Sequence, residues 1–212
     1  MNDIVYLDNA ATTFPKPLNV SACLCNCCDK YANPGRSSHV LSVNSAKAVY
    51  SCREIICSLF HFQHPENVVF TYNTTYALNL AIFGLCPKEG EILISNLEHN
   101  SVFRPVHALA QNSGGKISYK VFDALSDDES ILSDFENAIS KKTVLAVITA
   151  CSNVTGKLLP IEKLGEICRR KNIGLIIDAA QLAGIVPINL ERQYFSAVCF
   201  AGHKSLYGIM GS

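Results

Sequence analysis

Short apolar runs rich in Val and Ile alternate along the chain with longer segments of helical periodicity. We predict buried strands for the apolar runs, which span residues 68–71, 92–95, 144–149, 174–177 and 197–200. The periodic segments predict helices over residues 42–60, 75–85, 102–111, 130–139 and 161–171. Pro160 stands just before the last helix as a start signal, and Lys171-Asn172 ends it.

This alternation of strand and helix indicates an α/β fold. Strands that are apolar on both faces are typical of a mainly parallel sheet with helices on both sides. In such sheets the ligand lies beyond the carboxyl ends of the strands. The residues that directly follow each strand are therefore the first candidates for chemistry.

The composition places the chain among globular proteins. It has 212 residues, of which 49% are hydrophobic and 17% charged, and its formal net charge is zero. This balance gives no reason to expect a nucleic acid or an acidic membrane as a partner. No apolar run is long enough to span a bilayer, and residues 1–8 lack the pattern of a signal peptide, so we expect a cytoplasmic protein.

Ten cysteines require an explanation. Without a secretion signal we do not expect a disulfide framework. Cys23, Cys25, Cys27 and Cys28 stand close together, and such a group of thiols could bind a soft metal. Their spacing is not that of paired zinc knuckles, and no second Cys/His pair follows at the right distance. We therefore favour a thiol-rich helix over a metal site.

Hydroxyl and imidazole side chains follow the first two predicted strands. Thr74 and Thr75 come at the start of a helix, where free N–H groups and hydroxyls can bind an anion; an ordinary helix cap is the alternative. His99 follows residues 92–95 and could stack on a ligand ring or transfer a proton, although a single His is more often structural.

An amide, an acid and an amine follow the next three strands. Asn153 could donate to a ligand oxygen or close a turn. Asp178 directly follows an apolar strand, and a buried carboxylate there needs a cation or good donors; a helix cap is the alternative. Lys204 stands beside His203 after residues 197–200, where desolvation makes an amine a better nucleophile, whereas most loop lysines are solvated.

These groups together match the needs of pyridoxal phosphate (PLP). Its phosphate needs a helix N-terminus with hydroxyls, its pyridine nitrogen needs a carboxylate, and its aldehyde needs a lysine. Neither G-x-G-x-x-G after a strand nor G-x-x-x-x-G-K-[ST] occurs, so nucleotide binding loses its usual support. The strand ends therefore predict a PLP site.

Six stretches in order carry a resemblance to a known family. They are YLDNAATT at 6–13, NPGRSSH at 33–39, EHN at 98–100, SNVTG at 152–156, DAAQ at 178–181 and GHK at 202–204. The chain resembles the class V aminotransferase family, in particular its cysteine desulfurase-like branch. The resemblance implies the large domain of the fold type I PLP-dependent transferases, with a mainly parallel sheet of the seven-stranded type. We expect an N-terminal arm over residues 1–20 and the PLP-binding domain over 21–212.

The resemblance implies a role for each matching residue. Lys204 would hold PLP as a Schiff base and shuttle the Cα proton, and Asp178 would bind the pyridine nitrogen. Gln181 would hydrogen-bond the ring hydroxyl oxygen with Asn153 nearby. His99 would stack on the ring and assist proton transfer.

The remaining matches concern the phosphate and the mouth of the site. Thr75, the backbone of Thr74 and His203 would hold the phosphate. Members of the family are usually homodimers with active sites at the interface. Three residues are expected near the mouth of the site, where they could serve the partner subunit: Asn33, Arg36 and His39.

Three features depart from the family pattern. Ala201 stands where relatives carry a hydroxyl for the phosphate, a loss of about 1 kcal/mol of binding. Tyr76 replaces a common acidic residue. The chain stops at Ser212, before the C-terminal domain that in relatives carries the sulfur-attacking cysteine and a carboxylate-binding arginine. We therefore expect a fragment that is inactive by itself, with the C-terminal domain missing.

The resemblance implies a PLP-dependent enzyme that acts on L-cysteine. It would release L-alanine and transfer the sulfur to an enzyme cysteine, for delivery to a sulfur-acceptor protein in iron–sulfur cluster assembly. The alternatives are another class V enzyme, such as a selenocysteine lyase or an aminotransferase, or a non-catalytic truncated domain.

Overall fold

A five-stranded sheet forms the centre of the protein in the computed structural model, which describes residues 4–211. The strands are β1 (Gly90–Ser95), β2 (Ile117–Phe122), β3 (Thr143–Thr149), β4 (Gly174–Asp178) and β5 (Ala197–Cys199). Their order is β2-β1-β3-β4-β5, and every neighbouring pair is parallel. All five carboxyl ends therefore meet at one edge, as the sequence predicts for an α/β fold.

Six helices connect these strands or precede them. They are α1 (Leu18–Lys30), α2 (Val40–Leu59), α3 (Thr74–Leu85), α4 (Asn100–Asn112), α5 (Asp128–Ala138) and α6 (Ile161–Lys171). Asn172 ends α6 in the left-handed conformation, with φ 57°, which confirms the predicted stop. None of the helices in residues 4–211 is long and apolar enough to cross a membrane.

Side-chain alternation along the strands divides the core into two layers. Ile92, Ile94 and Ile176 point to one face and pack with helices α3 and α4. Leu93 and Leu175, their neighbours in sequence, point to the other face and pack with α5 and α6. Each fully buried aliphatic side chain contributes about 1.5–3 kcal/mol, which explains why both faces carry helices.

The prediction of a strand over residues 68–71 is wrong. This segment has no regular secondary structure and pairs with no strand among the described residues, and Val69 and Phe70 are exposed. It follows a short 3₁₀ helix, Pro65–Asn67. Apolar composition alone therefore did not specify the strand, because a strand also needs a hydrogen-bonding neighbour.

Strand β2 was missed by the sequence analysis. It forms one edge of the sheet, and between buried Ile117 and Phe122 it carries Ser118 and Lys120, which face solvent. A half-exposed edge strand lacks the continuous apolar run of the inner strands. The described residues thus form five strands, where the resemblance implies a sheet of the seven-stranded type.

Helix α1 lies on the surface and buries none of its residues. Its thiols are all exposed, and they belong to Cys23, Cys25, Cys27 and Cys28. The predicted thiol-rich helix is confirmed. Among residues 4–211 no group of three or more His, Cys, Asp or Glu side chains is arranged to hold a metal ion.

Candidate active site

A cavity of about 350 Å³ opens at the carboxyl edge of the sheet. Every residue that the sequence analysis assigned to the cofactor lines it: Thr74, Thr75, His99, Asn153, Asp178, Gln181, His203 and Lys204. Further lining residues are Asp8, Ala10, Ala11, Asn73, Ser101, Thr149, Cys151 and Ala180. A larger and mainly apolar cavity of about 810 Å³ lies between α2 and β5, and none of the predicted site residues lines it.

Asp178 is the last residue of β4 and is buried at the base of this edge. Its backbone pairs with Thr149 of β3 and Cys199 of β5, so it stands between two inner strands. One carboxyl oxygen, Oδ1, accepts the N–H of Ala180 at 3.0 Å. Burial raises the pKa of Asp178, while the Ala180 N–H and the nearby Lys204 and His99 act against that rise.

Lys204 follows β5 and is half-buried beside Asp178. Desolvation lowers the pKa of the Lys204 amine, and the negative charge of Asp178 partly opposes this change. A lowered pKa increases the fraction of neutral amine, which is the nucleophilic form. The structure therefore brings together an acid and an amine that are suited to bind one ligand at two points.

The N-terminal arm holds the loop that carries Lys204. The hydroxyl of Thr12 donates to the carbonyl of His203 at 3.0 Å, and the hydroxyl of Thr13 donates to the carbonyl of Lys204. The Lys16 ammonium also donates to the His203 carbonyl, at 2.9 Å. Local sequence pattern gives no signal for these contacts, because their partners lie almost two hundred residues apart.

His99 forms the N-cap of α4 and lines the cavity. Its Nδ1 accepts the backbone N–H of Ser101 at 3.1 Å, so in the neutral ring the proton lies on Nε2. The hydroxyl of Ser101 lies 2.7 Å from the same Nδ1 and 2.8 Å from the hydroxyl of Thr75. Ser101, which the sequence analysis missed, therefore links the imidazole to the start of α3.

The start of α3 offers hydrogen-bond donors to the cavity. Asn73 caps the helix and accepts the N–H of Tyr76 at 2.9 Å. The hydroxyl oxygen of Thr74 is buried and has no hydrogen-bond partner among residues 4–211. An unpartnered hydroxyl beside the free N–H groups of a helix start is suited to an anionic ligand.

Gln181 and Asn153 line the cavity without meeting in a hydrogen bond. The side-chain Nε2 of Gln181 donates to the carbonyl of Ala10 at 3.0 Å, so this amide also ties the arm to the site. Asn153 lies in the turn after β3, which the hydroxyl of Ser152 stabilises by accepting the N–H groups of Val154 and Thr155. Their predicted contacts with a ring hydroxyl remain predictions.

The three predicted mouth residues do not line the cavity. His39 forms the N-cap of α2, where its Nδ1 accepts the N–H of Ser42 at 3.2 Å. The carbonyl of Asn33 accepts the hydroxyl of Ser42 at 2.8 Å. Arg36 lies in the exposed turn between them. Within this chain Asn33 and His39 stabilise the start of α2, and a role toward a partner subunit remains a prediction.

Glu98 is a second acid at this edge and was not singled out from the sequence. Its Oε1 accepts the hydroxyl of Ser95 at 2.6 Å and the N–H of Thr149 at 2.8 Å. Desolvation, together with the nearby Asp178, raises the pKa of Glu98 to about 8. The signal in the sequence was the position of Glu98, between the predicted strand over residues 92–95 and the candidate site residue His99.

Comparison with known proteins connects this geometry to a family. Residues 5–211 match the model of the family described as Aminotransferase class-V. A probable cysteine desulfurase from Borreliella burgdorferi is 31% identical over 96% of the chain and 49% of the relative. The chain spans about half the length of the curated relatives it matches.

Solved structures of other proteins are similar to this chain over nearly its whole length. The apo structure of a cysteine desulfurase from Thermococcus onnurineus has a TM-score of 0.88 and 31% identity, and the match covers 99% of this chain and 52% of that one. A structure described as SspA in complex with cysteine has a TM-score of 0.85 and 27% identity, over 98% of this chain and 59% of that one.

Proposed function

The chain belongs to the Aminotransferase class-V family, a family of PLP-dependent enzymes, and from this we propose that it is the cofactor-binding part of a cysteine desulfurase-like enzyme. The proposed reaction converts L-cysteine to L-alanine and transfers sulfur to an enzyme cysteine. The observation that carries the proposal is the pairing of Asp178 and Lys204 across one cavity, each acting electrostatically on the other.

The residues of the cavity fit PLP. Thr75, the backbone of Thr74 and His203 would receive the phosphate at the start of α3. To these we add the hydroxyl of Thr74, which is buried and has no partner among residues 4–211. Asp178 would hold the protonated pyridine nitrogen, and Lys204 would hold the aldehyde carbon. His99, whose Nδ1 is held by Ser101, would lie against the ring. When bound, PLP supplies an electron sink for the carbon that loses its proton.

The chain's own groups divide the chemistry between them. Burial raises the pKa of Asp178, and Lys204 and His99 act against that rise. In the proposal Asp178 carries the negative charge that favours a protonated pyridine nitrogen. Lys204, whose amine has a lowered pKa, accepts the proton from the substrate Cα at its Nζ atom. Thr12 and Thr13 fix the carbonyls of His203 and Lys204 and so hold that amine in place.

Trapping the cofactor tests the assignment of Lys204. We expect the 212-residue chain to bind PLP with a yellow absorbance, and borohydride reduction followed by peptide mapping to place the cofactor on Lys204. The variant Lys204→Ala should remain colourless, and Lys163→Ala, which removes an exposed lysine of α6 outside the cavity, should retain the colour. Reduced cofactor on a different lysine would contradict the proposal.

The substrate class needs a separate measurement. We propose L-cysteine because the relatives that span the chain are described as cysteine desulfurases and one similar structure holds cysteine. Titrating the PLP-loaded chain with L-cysteine, L-selenocysteine and L-alanine and following the absorbance of the bound cofactor tests this. We expect L-cysteine to act at the lowest concentration, and a stronger response to L-selenocysteine would favour a selenocysteine lyase.

Partners are proposed on the same basis. We propose a homodimer and a sulfur-acceptor protein in iron–sulfur cluster assembly. The first has support in the structure, because the arm and helices α1 and α2 expose many apolar side chains. The second rests on the relatives that share the name IscS.

A further inference from the structure

Glu98 presents a buried carboxyl that the proposed reaction does not use. The residue as a whole is partly exposed, but its Oε2 atom is buried and has no hydrogen-bond partner among residues 4–211. Neither of the ion pairs within the described residues includes Glu98. An ionised carboxylate buried in this way costs far more than a neutral carboxylic acid.

The other oxygen of Glu98 joins the ends of two strands. Oε1 accepts from the hydroxyl of Ser95, at the end of β1, and from the N–H of Thr149, at the end of β3. Thr149 in turn pairs in register with Asp178 on β4. Glu98 therefore acts on the backbone that positions Asp178, besides standing next to His99 in the chain.

Glu98 and Asp178 form a pair of nearby buried carboxyls. They differ in the charged groups that act on them. Asp178 faces Lys204, after β5, and His99, before α4, and it also accepts the N–H of Ala180. The charged group that acts on Glu98 is Asp178 itself, which is repulsive. When two close carboxyls compete, the one without a cation keeps the proton.

We propose that Glu98 is a positioning residue that stays protonated at neutral pH, ties the ends of β1 and β3 together, and leaves Asp178 as the ionised member of the pair. The protonation of Glu98 is independent of the proposed function. Its consequence for the cofactor, through Asp178, rests on that function.

The pH dependence of stability tests the protonation. A carboxyl with a raised pKa keeps its proton in the folded state while the unfolded state loses it, so rising pH destabilises the fold from about 4.5 to about 8. Relative to wild type, Glu98→Gln should therefore gain stability across this window. The ratio of the two unfolding constants in urea should change by up to about tenfold per pH unit and level off above about 8. A ratio that stays constant across the window would overturn the proposal.

Infrared spectroscopy tests the same point without relying on the fold of one variant. We expect wild type at pH 7 to show the carbonyl stretch of a protonated carboxyl, which disappears as the pH passes about 8. The band should persist in Asp178→Asn and be absent in Glu98→Gln. A band that is lost in Asp178→Asn but kept in Glu98→Gln would assign the proton to Asp178 and refute the proposal.

Cofactor binding tests the positioning role. Glu98→Gln imitates the neutral acid, so it should bind PLP within about twofold of wild type and keep the pH profile of the bound-cofactor absorbance. Glu98→Ala should weaken binding by about tenfold, because Ser95 and Thr149 lose their acceptor. Glu91→Gln, at the opposite end of β1, is the control and should match wild type.

The outcomes separate the two proposals. If Glu98→Gln shifts the pH profile of the cofactor, Glu98 is ionised and the inference fails while the function stands. If wild type and all variants fail to bind PLP, the proposed function and the role of Glu98 toward the cofactor fail, and the stability and infrared results still decide its protonation.

Discussion

Thr74 and Thr75 are adjacent hydroxyl residues with different environments. The hydroxyl of Thr75 is hydrogen-bonded to Ser101, whereas that of Thr74 is buried and has no partner among the described residues. A buried hydroxyl without a partner lowers stability by about 1–3 kcal/mol. Such an arrangement is consistent with a residue that is kept to bind a ligand, which in our proposal is the phosphate of PLP.

Thr74→Val tests this interpretation. We expect the variant to unfold in urea at the same or a higher concentration than wild type, because it removes an unsatisfied group of similar size. Its affinity for PLP should fall by about fivefold, the loss of about one hydrogen bond. Thr75→Val is the control for stability, since it breaks the bond to Ser101. A loss of stability in Thr74→Val with unchanged PLP affinity would contradict a ligand-binding role.

The pair of Asp178 and Lys204 makes a prediction about pH. The charge of Asp178 raises the pKa of the Lys204 amine and so opposes the effect of desolvation. Asp178→Asn removes that charge, so the pKa of Lys204 should fall further. Competitive labelling of the amine with acetic anhydride, followed by peptide mapping, should show half-maximal reactivity at a lower pH in Asp178→Asn than in wild type. A shift toward higher pH would mean that the two groups do not face each other.

At the scale of elements, helix ends were more predictable than strands. Asn172 ends α6 in the left-handed conformation, as the local sequence indicates. Asn172→Ala should destabilise the protein by about 1 kcal/mol, because a Cβ is disfavoured in that conformation and Ala lacks the polar side chain that helps Asn to adopt it. Asn172→Gly should be neutral or stabilising. Equilibrium unfolding in urea measures both changes, and equal stability of the two variants would contradict the argument.

Strands depended on their neighbours. Residues 68–71 have the composition of a buried strand, yet they pair with no strand among residues 4–211. Strand β2 carries a mixed pattern and nevertheless pairs with β1 over its whole length. The local sequence pattern indicates how apolar a segment is. Strand formation also requires a neighbouring strand as partner for its backbone hydrogen bonds.

At the scale of the whole molecule, exposed apolar side chains concentrate in the N-terminal part. Five of them each have at least 72% of their surface accessible: Ile4, Val5, Leu7, Leu18 and Val40. Such a concentration is typical of a surface that another protein covers. This distribution supports the proposed homodimer.

Sedimentation equilibrium tests the oligomeric state. We expect the chain to associate reversibly to a dimer, and Leu18→Glu together with Val40→Glu to shift the equilibrium toward the monomer by at least tenfold, because charges would be buried at the interface. Val154→Glu is the control, since Val154 is also exposed but lies in the turn after β3. A monomer at every concentration would contradict the homodimer.

The sequence by itself determined which polar groups stand at the ends of the inner strands. Asp178, His99 and Lys204 each follow an apolar run, and parallel strands must place such residues at one edge. Only the tertiary structure decided that Thr12 and Thr13 hold the Lys204 loop, and that Glu98 joins β1 to β3 near Asp178. Periodicity is a local property, whereas these contacts join residues far apart in sequence and depend on the register in which strands and arm pack.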